Sequence, residues 1–253
     1  MHQVLQTEIT YILPEELILL KMNRLTIKGF VLVLLLLMSV TMMAETQEKR
    51  FSVMGMGDSI TEGGDEFNSY LYPLWQLFQR KGYEVDFIGP RERMTPAGVL
   101  RHCGFSGKPV EYIEARVDSI YRLYPADIVL LHAGHNHFAD QQPVDGMIKA
   151  YQHIISTIHT INPEALVFIA QVTPSGKLPK YSYIPELNRR IAEMVTGGAD
   201  KHLFLVDMAT GHDWRTMTIH DRVHPNQKGA KRMAKRWFKA IKKGLKSMKE
   251  RKK

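Results

Sequence analysis

The chain has 253 residues, of which 44% are hydrophobic, and it carries a formal net charge of +8 at pH 7. This length suits one α/β domain, and the hydrophobic content is ample for a buried core. The single cysteine, Cys103, excludes an intramolecular disulfide, so the fold must be stable without that cross-link.

Residues 1–44 are predicted to form an N-terminal extension that ends in a signal peptide. Basic residues precede a short apolar run that leads to a small residue at a plausible cleavage point: Lys21, Arg24, Lys28, residues 29–40 and Ala44. We therefore expect an exported protein, periplasmic or extracellular, whose mature chain begins near Glu45. The alternatives are an uncleaved helix that anchors the protein in a membrane, and a start at Met22 instead of Met1.

The positive charge is concentrated at the C-terminus. From Lys228 to Lys253 there are thirteen Lys or Arg residues and one acid, Glu250, so that the rest of the chain carries a net −4. Residues 245–253 are predicted to be a basic tail, most often a solvated helix end. Contact of this tail with anionic lipid or acidic glycan is the alternative. Nucleic acid is not expected as a partner, given the export signal.

From residue 51 onward, short apolar runs alternate with amphipathic segments, which predicts strands alternating with helices in one domain over residues 45–244. The predicted strands are Phe51–Met56, Val85–Ile88, Asp127–His132, Leu166–Val172 and Leu203–Val206. The predicted helices are Tyr70–Lys81, Val110–Tyr124, Val144–Ile161, Tyr183–Val195 and a last one from about Asn226 into the tail. This alternation favours a parallel, doubly wound α/β sheet.

Polar clusters follow the predicted strands, and ligands of such sheets bind beyond the carboxyl ends of the strands. The clusters are Gly57-Asp-Ser59, residues 91–108, residues 134–137, residues 173–176 and residues 207–225. We expect all of them to open onto the same edge of the sheet.

Ser59 directly follows the first predicted strand and has glycines on both sides of it in the sequence. A hydroxyl at that position is well placed to leave the sheet edge and face a substrate. The alternative is that Asp58 and Ser59 only make a turn or cap the next helix.

Asp221 and His224 are three residues apart in the last loop, so that the carboxylate can accept a hydrogen bond from one ring nitrogen while the other faces outward. This is the arrangement of an orienting acid and a general base that serve a serine nucleophile. The alternatives are that this motif merely caps the last helix, and that Asp207 is the carboxylate partner; Asp207 is instead expected to fix a loop.

An acyl-transfer site also needs donors for the oxyanion. Asn136 follows the third predicted strand and offers a side-chain amide, and Gly107 lies in a loop where a backbone N–H can approach closely. The backbone N–H of Ser59 is the third candidate donor.

Four blocks of the chain occur in the order and approximate spacing of those that define the SGNH (GDSL-type) hydrolases. The blocks are Gly57-Asp58-Ser59-Ile60-Thr61, the Gly107 loop, Gly134-His-Asn136 and Asp221-x-x-His224. Over about residues 51–240 the chain resembles that family. The resemblance implies a flavodoxin-like three-layer α/β/α sandwich with a five-stranded parallel sheet in the order 2-1-3-4-5. It also implies these roles: Ser59 as nucleophile and oxyanion donor, Gly107 and Asn136 as oxyanion donors, His224 as base and Asp221 as its orienter.

Shorter stretches are similar to the carbohydrate acetylesterase branch of the family, which includes acetylxylan esterases. They are Tyr72-Pro-Leu-Trp75, Tyr83 to Gly89, Gly104-Phe-Ser-Gly107, Asp127 to His132, Ala170-Gln-Val-Thr-Pro174 and Val223-His-Pro-Asn226. The chain departs from the pattern at His137, where an aspartate commonly follows the asparagine, and at His135.

The resemblance implies a serine esterase that removes O-acetyl groups from a polysaccharide or oligosaccharide without a metal or organic cofactor. The alternatives are a lipid or thioester hydrolase of the same family, which would need a deep apolar acyl pocket, and a catalytically silent glycan-binding protein. The sequence makes no prediction of the sugar or of the oligomeric state.

Four residues near the predicted site are candidate substrate contacts: Asp58, His135, His137 and Trp214. His132, His135 and His137 also raise the question of a metal site. No cysteine or carboxylate stands at a familiar ligand spacing from these histidines, so no metal is expected.

Overall fold

The computed structural model describes residues 50–251, so the predicted extension and signal peptide over residues 1–44 lie outside the described residues. The strands are β1 (Phe51–Gly57), β2 (Val85–Phe87), β3 (Arg91–Thr95), β4 (Gly98–Gly104), β5 (Ile128–His132), β6 (Leu166–Ala170) and β7 (Leu203–Val206). The helices are α1 (Ser59–Glu62), α2 (Leu71–Arg80), α3 (Val110–Glu114), α4 (Val117–Leu123), α5 (Val144–Ile161), α6 (Ile184–Thr196), α7 (Trp214–Met217) and α8 (Gln227–Arg251).

The centre of the sheet is parallel. β1 pairs with β5, β5 with β6 and β6 with β7, while β2 pairs with the other side of β1. The five strands expected from the sequence therefore stand in the order 2-1-3-4-5 when they are numbered one to five along the chain. The expectation of a parallel α/β sheet with this strand order is confirmed.

The expectation of only five strands was wrong, because residues 91–108 are not simply a loop. β3 and β4 form an antiparallel hairpin in which Arg91 pairs with His102, and β4 joins β1 in parallel through Met56 and Cys103. Within the described part of the chain the sheet has seven strands. The side chains of β3 are exposed or half-buried, so this strand lacks the apolar run or the apolar/polar alternation that marks a strand in sequence.

The sheet carries a separate core on each face, because successive side chains of a strand point to opposite sides. On β5, Val129 and Leu131 pack with helices α3 to α6, and Ile128 and Leu130 pack with α2 and α8. The fully buried Trp237 of α8 belongs to the second core. Helices therefore cover both faces, and the polar loops are left at the edge where the parallel strands end.

One helix prediction differs from the structure, and the prediction that the last helix runs into the tail is confirmed. The helix expected over 110–124 is two short helices, α3 and α4, although both bury apolar residues in the same core. The last helix continues past residue 244 to Arg251, and Leu245 and Met248 pack against the core beneath it. Much of the predicted basic tail is thus helical, while the domain limits at residues 45 and 244 stay predictions. Nowhere in residues 50–251 does a helix have the length and apolar character needed to cross a bilayer.

The close packing around Gly57 leads to a prediction about stability. A Cβ built there would lie 2.2 Å from the carbonyl oxygen of His132 and 2.4 Å from Oγ1 of Thr61. We expect Gly57→Ala to lower the free energy of unfolding by about 2–3 kcal/mol, because the backbone carbonyl cannot move aside cheaply. The control is Gly146→Ala on α5, where the Cβ would meet only ordinary contacts and should stabilise by ~0.5–1 kcal/mol. Urea unfolding of both variants checks the pair; equal stabilities would contradict it.

Candidate active site

Ser59 lies where β1 ends between its two neighbouring strands. Gly57 pairs with His132 at the end of β5 and with Gly104 at the end of β4. Asp58 caps the short helix α1 by accepting a hydrogen bond from the Ile60 N–H at 3.0 Å. Ser59 is the first residue of α1 and is only 6% exposed. Asp58 therefore makes the cap that was expected as the alternative, and the Ser59 hydroxyl is directed to another partner.

That partner is His224. Its Nε2 lies 2.8 Å from Oγ of Ser59, and its Nδ1 is hydrogen-bonded to Oδ2 of Asp221. The other carboxylate oxygen, Oδ1, accepts the N–H groups of Val223 and His224 at 2.9 and 3.0 Å. Partial burial acts to raise the pKa of Asp221, but the hydrogen bonds from the imidazole and the two amides outweigh it and hold the pKa below its usual value. Asp221 is thus a carboxylate that fixes the orientation of the ring.

The two alternatives for this loop do not match the contacts. Asn226 caps α8, because its Oδ1 accepts the Gly229 N–H at 3.1 Å. Asp207 accepts the Thr210 N–H at 2.9 Å and lies 3.4 Å from Nη1 of Arg236, so it fixes its own loop.

Phe67 packs on the imidazole of His224, a contact that was not predicted from the sequence. Its ring stacks on the imidazole of His224 with centroids 4.0 Å apart and planes 25° apart. A Cβ at Gly64 would come within 2.2 Å of the Phe67 ring, so any larger residue there would displace the ring from this position. The Asn68 N–H donates to the carbonyl of Pro225 at 3.3 Å, which ties this loop to the residue after the histidine. The glycine pair before Phe67 was the available signal for a tight loop, but it does not reveal the stacking partner.

The loop that follows β4 is tied to the end of β1 and to α1. The Phe105 N–H donates to the carbonyl of Gly57 at 2.9 Å, and the Ser106 N–H donates to Oε2 of Glu62 at 2.6 Å. Gly107 has a φ of +70°, a conformation that side chains rarely allow. The residue type is therefore explained by the backbone, and its N–H is held in a loop beside α1.

Asn136 lies in the loop that follows β5, and with a φ of +76° it too is left-handed, which asparagine tolerates better than most residues. Its Nδ2 donates to the carbonyl of Lys108 at 3.1 Å. The amide nitrogen carries two hydrogens, so a second one can reach another acceptor. Because Lys108 follows Gly107, the structure joins the loops of the two predicted oxyanion donors by a direct hydrogen bond.

The residues around this site match a family model. The model of the GDSL-like lipase/acylhydrolase family matches residues 56–232, more than half of the chain. The chain belongs to this family. The resemblance stated from the sequence is confirmed, and so is the expectation that the protein is a hydrolase of the esterase type.

Three relatives illustrate the similarity. A multidomain esterase from Ruminococcus flavefaciens is 24% identical over 223 residues, which are 77% of this chain and 29% of that protein, so the chain spans less than a third of that relative's length. A family 3 carbohydrate esterase from Clostridium thermocellum is 25% identical with a TM-score of 0.67, covering 79% of this chain and 99% of that one. A family 3 carbohydrate esterase from Talaromyces cellulolyticus has a TM-score of 0.68 at 22% identity, over 78% and 99% of the two chains, and shows the shared fold.

In this member of the GDSL-like family, two predicted substrate contacts are buried, which corrects the prediction. The side chains of Asp58 and His135 are 0% and 2% exposed, and Oδ2 of Asp58 lies 3.9 Å from Nδ1 of His135. Burial raises the pKa of Asp58 to about 6, against the lowering effect of the Ile60 amide. Burial also lowers the pKa of His135 to about 3. These side chains lie beneath the site and cannot touch a substrate that binds at the surface.

His137 departs from the family pattern in a defined way. Its Nε2 lies 2.9 Å from Oε2 of Glu111 on α3, and its Nδ1 lies 3.3 Å from Oε1 of Gln141. The hydrogen bond with Glu111 raises the pKa of His137 despite partial burial. A glutamate–histidine pair thus supports the loop of Asn136.

Trp214 and the histidine cluster complete the surroundings. Trp214 is half-buried, and a Cβ at Gly176 would come within 2.5 Å of its ring, so the indole packs on the backbone of another edge loop. His132 is buried at the end of β5, with Nε2 accepting the Thr173 N–H at 3.4 Å. Among the side chains of residues 50–251, no group of three or more His, Cys, Asp or Glu is arranged to hold a metal ion.

The buried Asp58 predicts a pH-dependent stability. Its pKa is about 6 in the folded protein and ~3.9 in an unfolded chain, so the folded state binds the proton more tightly and the stability from this group falls as pH rises from about 4 to 6. Asn can still cap α1 but cannot ionise. We expect Asp58→Asn to gain stability relative to the parent protein on going from pH 4 to pH 8, by on the order of 2 kcal/mol. Urea unfolding at both pH values measures this, and a pH-independent difference would contradict it.

Proposed function

We propose that the protein is a serine esterase in which Ser59 is the nucleophile, His224 the general base and Asp221 the residue that orients it. The observation that carries this proposal is the continuous series of contacts from Oγ of Ser59 to Nε2 of His224, and from Nδ1 to the carboxylate of Asp221. This is the geometry by which an imidazole in the correct tautomer can accept a proton from a serine.

The reaction then proceeds in two steps. His224 takes the hydroxyl proton as Oγ of Ser59 attacks the ester carbonyl, and Asp221 stabilises the imidazolium that forms. The backbone N–H of Ser59, the N–H of Gly107 and Nδ2 of Asn136 donate to the oxyanion. The C–O bond to the alcohol breaks, and the alcohol leaves with the proton from His224. Water then attacks the acyl-enzyme, gives its proton to His224, and the acid is released as Ser59 regains its hydrogen.

The substrate we propose is carbohydrate that carries O-acetyl groups. Support comes from the family 3 carbohydrate esterase of Clostridium thermocellum, over nearly all of whose length this chain aligns, and from the short stretches that resemble the acetylesterase branch. Export to the periplasm or the exterior, where such polymers would be met, remains part of the proposal, since its signal lies outside the described residues.

The first test is Ser59→Ala with p-nitrophenyl acetate and with acetylated xylan. Removal of the nucleophile should lower kcat by at least about 10³-fold while leaving the fold intact, because the alanine fits the same space. Ser119→Ala, at an exposed serine on α4, is the matched control and should keep full activity. Equal rates in the parent protein and Ser59→Ala would reject the proposal, and ester cleavage without acetate release from any acetylated glycan would reject its carbohydrate part.

Phe67 gives a second test, because its ring restricts the imidazole of His224 from one face. We expect Phe67→Leu to lower kcat for p-nitrophenyl acetate by about 10-fold with KM changed less than about twofold, since a less constrained imidazole loses alignment rather than substrate affinity.

Phe67→Tyr keeps an aromatic face and should retain most of the kcat. The matched control is Phe204→Leu on β7, which removes a ring from another stacked pair, Phe168 and Phe204, whose centroids are 4.8 Å apart. An unchanged kcat in Phe67→Leu, or the same loss in Phe204→Leu, would show that the stack does not position the base.

A further inference from the structure

A cavity of about 560 Å³ opens beside the loop that carries Phe67. Its walls come from the loop over residues 64–69, the beginning of α2, the β3–β4 hairpin and the first turn of α8. This volume lies within the ~300–1,000 Å³ that small-molecule sites usually occupy. The hairpin that the sequence did not reveal therefore has a role in shaping a concave surface.

The cavity is lined by residues that adjoin the proposed catalytic residues in space or in sequence. Phe67 lines the cavity and also stacks on His224. Glu62, at the end of the helix that begins with Ser59, lines it as well, and so does Gln227, three residues after His224. None of Ser59, Asp221 and His224 lines the cavity, but a molecule bound there could contact Phe67, which packs directly on the imidazole of His224.

We propose that this cavity binds the sugar on the alcohol side of the scissile ester, as part of a neutral oligosaccharide. The inference rests on the proposed function, because an acetyl group is small and the bulk of such a substrate is its carbohydrate. A sugar needs a flat apolar surface for the C–H groups of its ring and many hydrogen-bonding groups for its hydroxyls. The lining supplies both.

The flat surface is provided by aromatic side chains. Tyr72 is half-buried in the wall, and its ring is held nearly parallel to that of Trp75, with planes 14° apart and centroids 6.1 Å apart. An aromatic ring fixed in this way buries apolar area at low cost in conformational entropy. Tyr72 is the residue we expect to contribute most of the binding free energy.

The hydrogen-bonding groups are held in defined orientations. Nη2 of Arg93 donates to the carbonyl of Gly64 at 2.6 Å and to Oδ1 of Asp65 at 3.3 Å, which leaves the N–H groups on Nε and Nη1 for a ligand. His102 is only 1% exposed, and its Nδ1 accepts the Gly104 N–H at 3.0 Å, so it helps to close the wall of the cavity rather than to bind a ligand. Gln76 adds an amide that can both donate and accept.

The lining argues against two other occupants. A fatty acyl chain would desolvate these polar groups without giving them partners, which is unfavourable. A polyanion is not favoured either, because the carboxylates in the lining slightly outnumber its cations; they are Glu62, Asp65 and Glu66 against Arg93 and Lys231. A neutral glycan would give the polar groups hydrogen-bond partners and carries no negative charge for the carboxylates to repel.

The experiment measures binding apart from catalysis. The full-length chain with Ser59→Ala is titrated by calorimetry with the neutral tetrasaccharides of xylan, mannan, cellulose and chitin. We expect saturable binding of at least one of them. In the same background, Tyr72→Leu should weaken it by about 10-fold and Gln76→Ala by about 3- to 10-fold, through lost ring contact and a lost hydrogen bond.

Gln79→Ala is the matched control, since Gln79 is exposed on the same helix outside the cavity, and it should leave Kd unchanged. Binding that is equally strong in Gln76→Ala, Tyr72→Leu and Gln79→Ala, or no binding by any of the four sugars, would overturn the inference.

The outcome also separates this inference from the proposed function. Ser59-dependent cleavage of p-nitrophenyl acetate without any oligosaccharide binding would leave the esterase standing and remove the sugar site. Oligosaccharide binding that depends on Tyr72 in a protein without esterase activity would support the sugar site and reject the proposed esterase.

Discussion

The arrangement of the site depends on how closely β1 approaches β5 at Gly57. Only a residue without a Cβ fits there, because a side chain would meet the carbonyl of His132. This approach lets β1 remain paired to its last residue with both β4 and β5, so the chain turns into α1 at the very edge of the sheet. Ser59 emerges at that turn, and the loops of Gly107 and Asn136 leave the same two neighbouring strands. One backbone contact thus sets the relative positions of three separate segments.

Beneath that edge lies a layer of buried polar side chains, which is energetically costly. Asp58 is shifted towards its protonated form by burial, and neither ring nitrogen of His135 has a hydrogen-bond partner among the described residues. Unpartnered buried polar atoms typically cost about 1–3 kcal/mol each. The two apolar cores on either face of the sheet offset this cost. A rigid polar layer directly beneath Ser59 is consistent with a site whose groups must hold their positions without rearranging.

Features that depend on residues close together in the chain could be predicted from the sequence, and features that depend on contacts between distant segments could not. The central strands are nearly continuous apolar runs, and Asp221 and His224 are three residues apart. Both the strands and the hydrogen bond between these two side chains could therefore be predicted. Phe67 could not be found, because its stacking on His224 joins segments far apart in the chain and aromatic residues carry no motif. The burial of Asp58 and His135 was also missed, since the direction of a polar side chain at a strand end depends on neighbouring strands. Asn136 and Gly107 stay predictions as oxyanion donors, and their left-handed backbone explains only why these residue types stand there.

The arginines of the β3–β4 hairpin explain both why it was not predicted from the sequence and how it contacts the site. Its arginines interrupt any apolar pattern, yet they are the side chains that reach the site. Arg91 lies 2.7 Å from Oε1 of Glu62 on α1, and Arg93 binds the carbonyl of Gly64 beneath Phe67. The Arg91–Glu62 ion pair is partly exposed, and such pairs contribute little to global stability, typically ~0–1 kcal/mol. Their effect is therefore local: they tie Glu62, at the end of α1, and the mostly exposed loop of Phe67 to the hairpin.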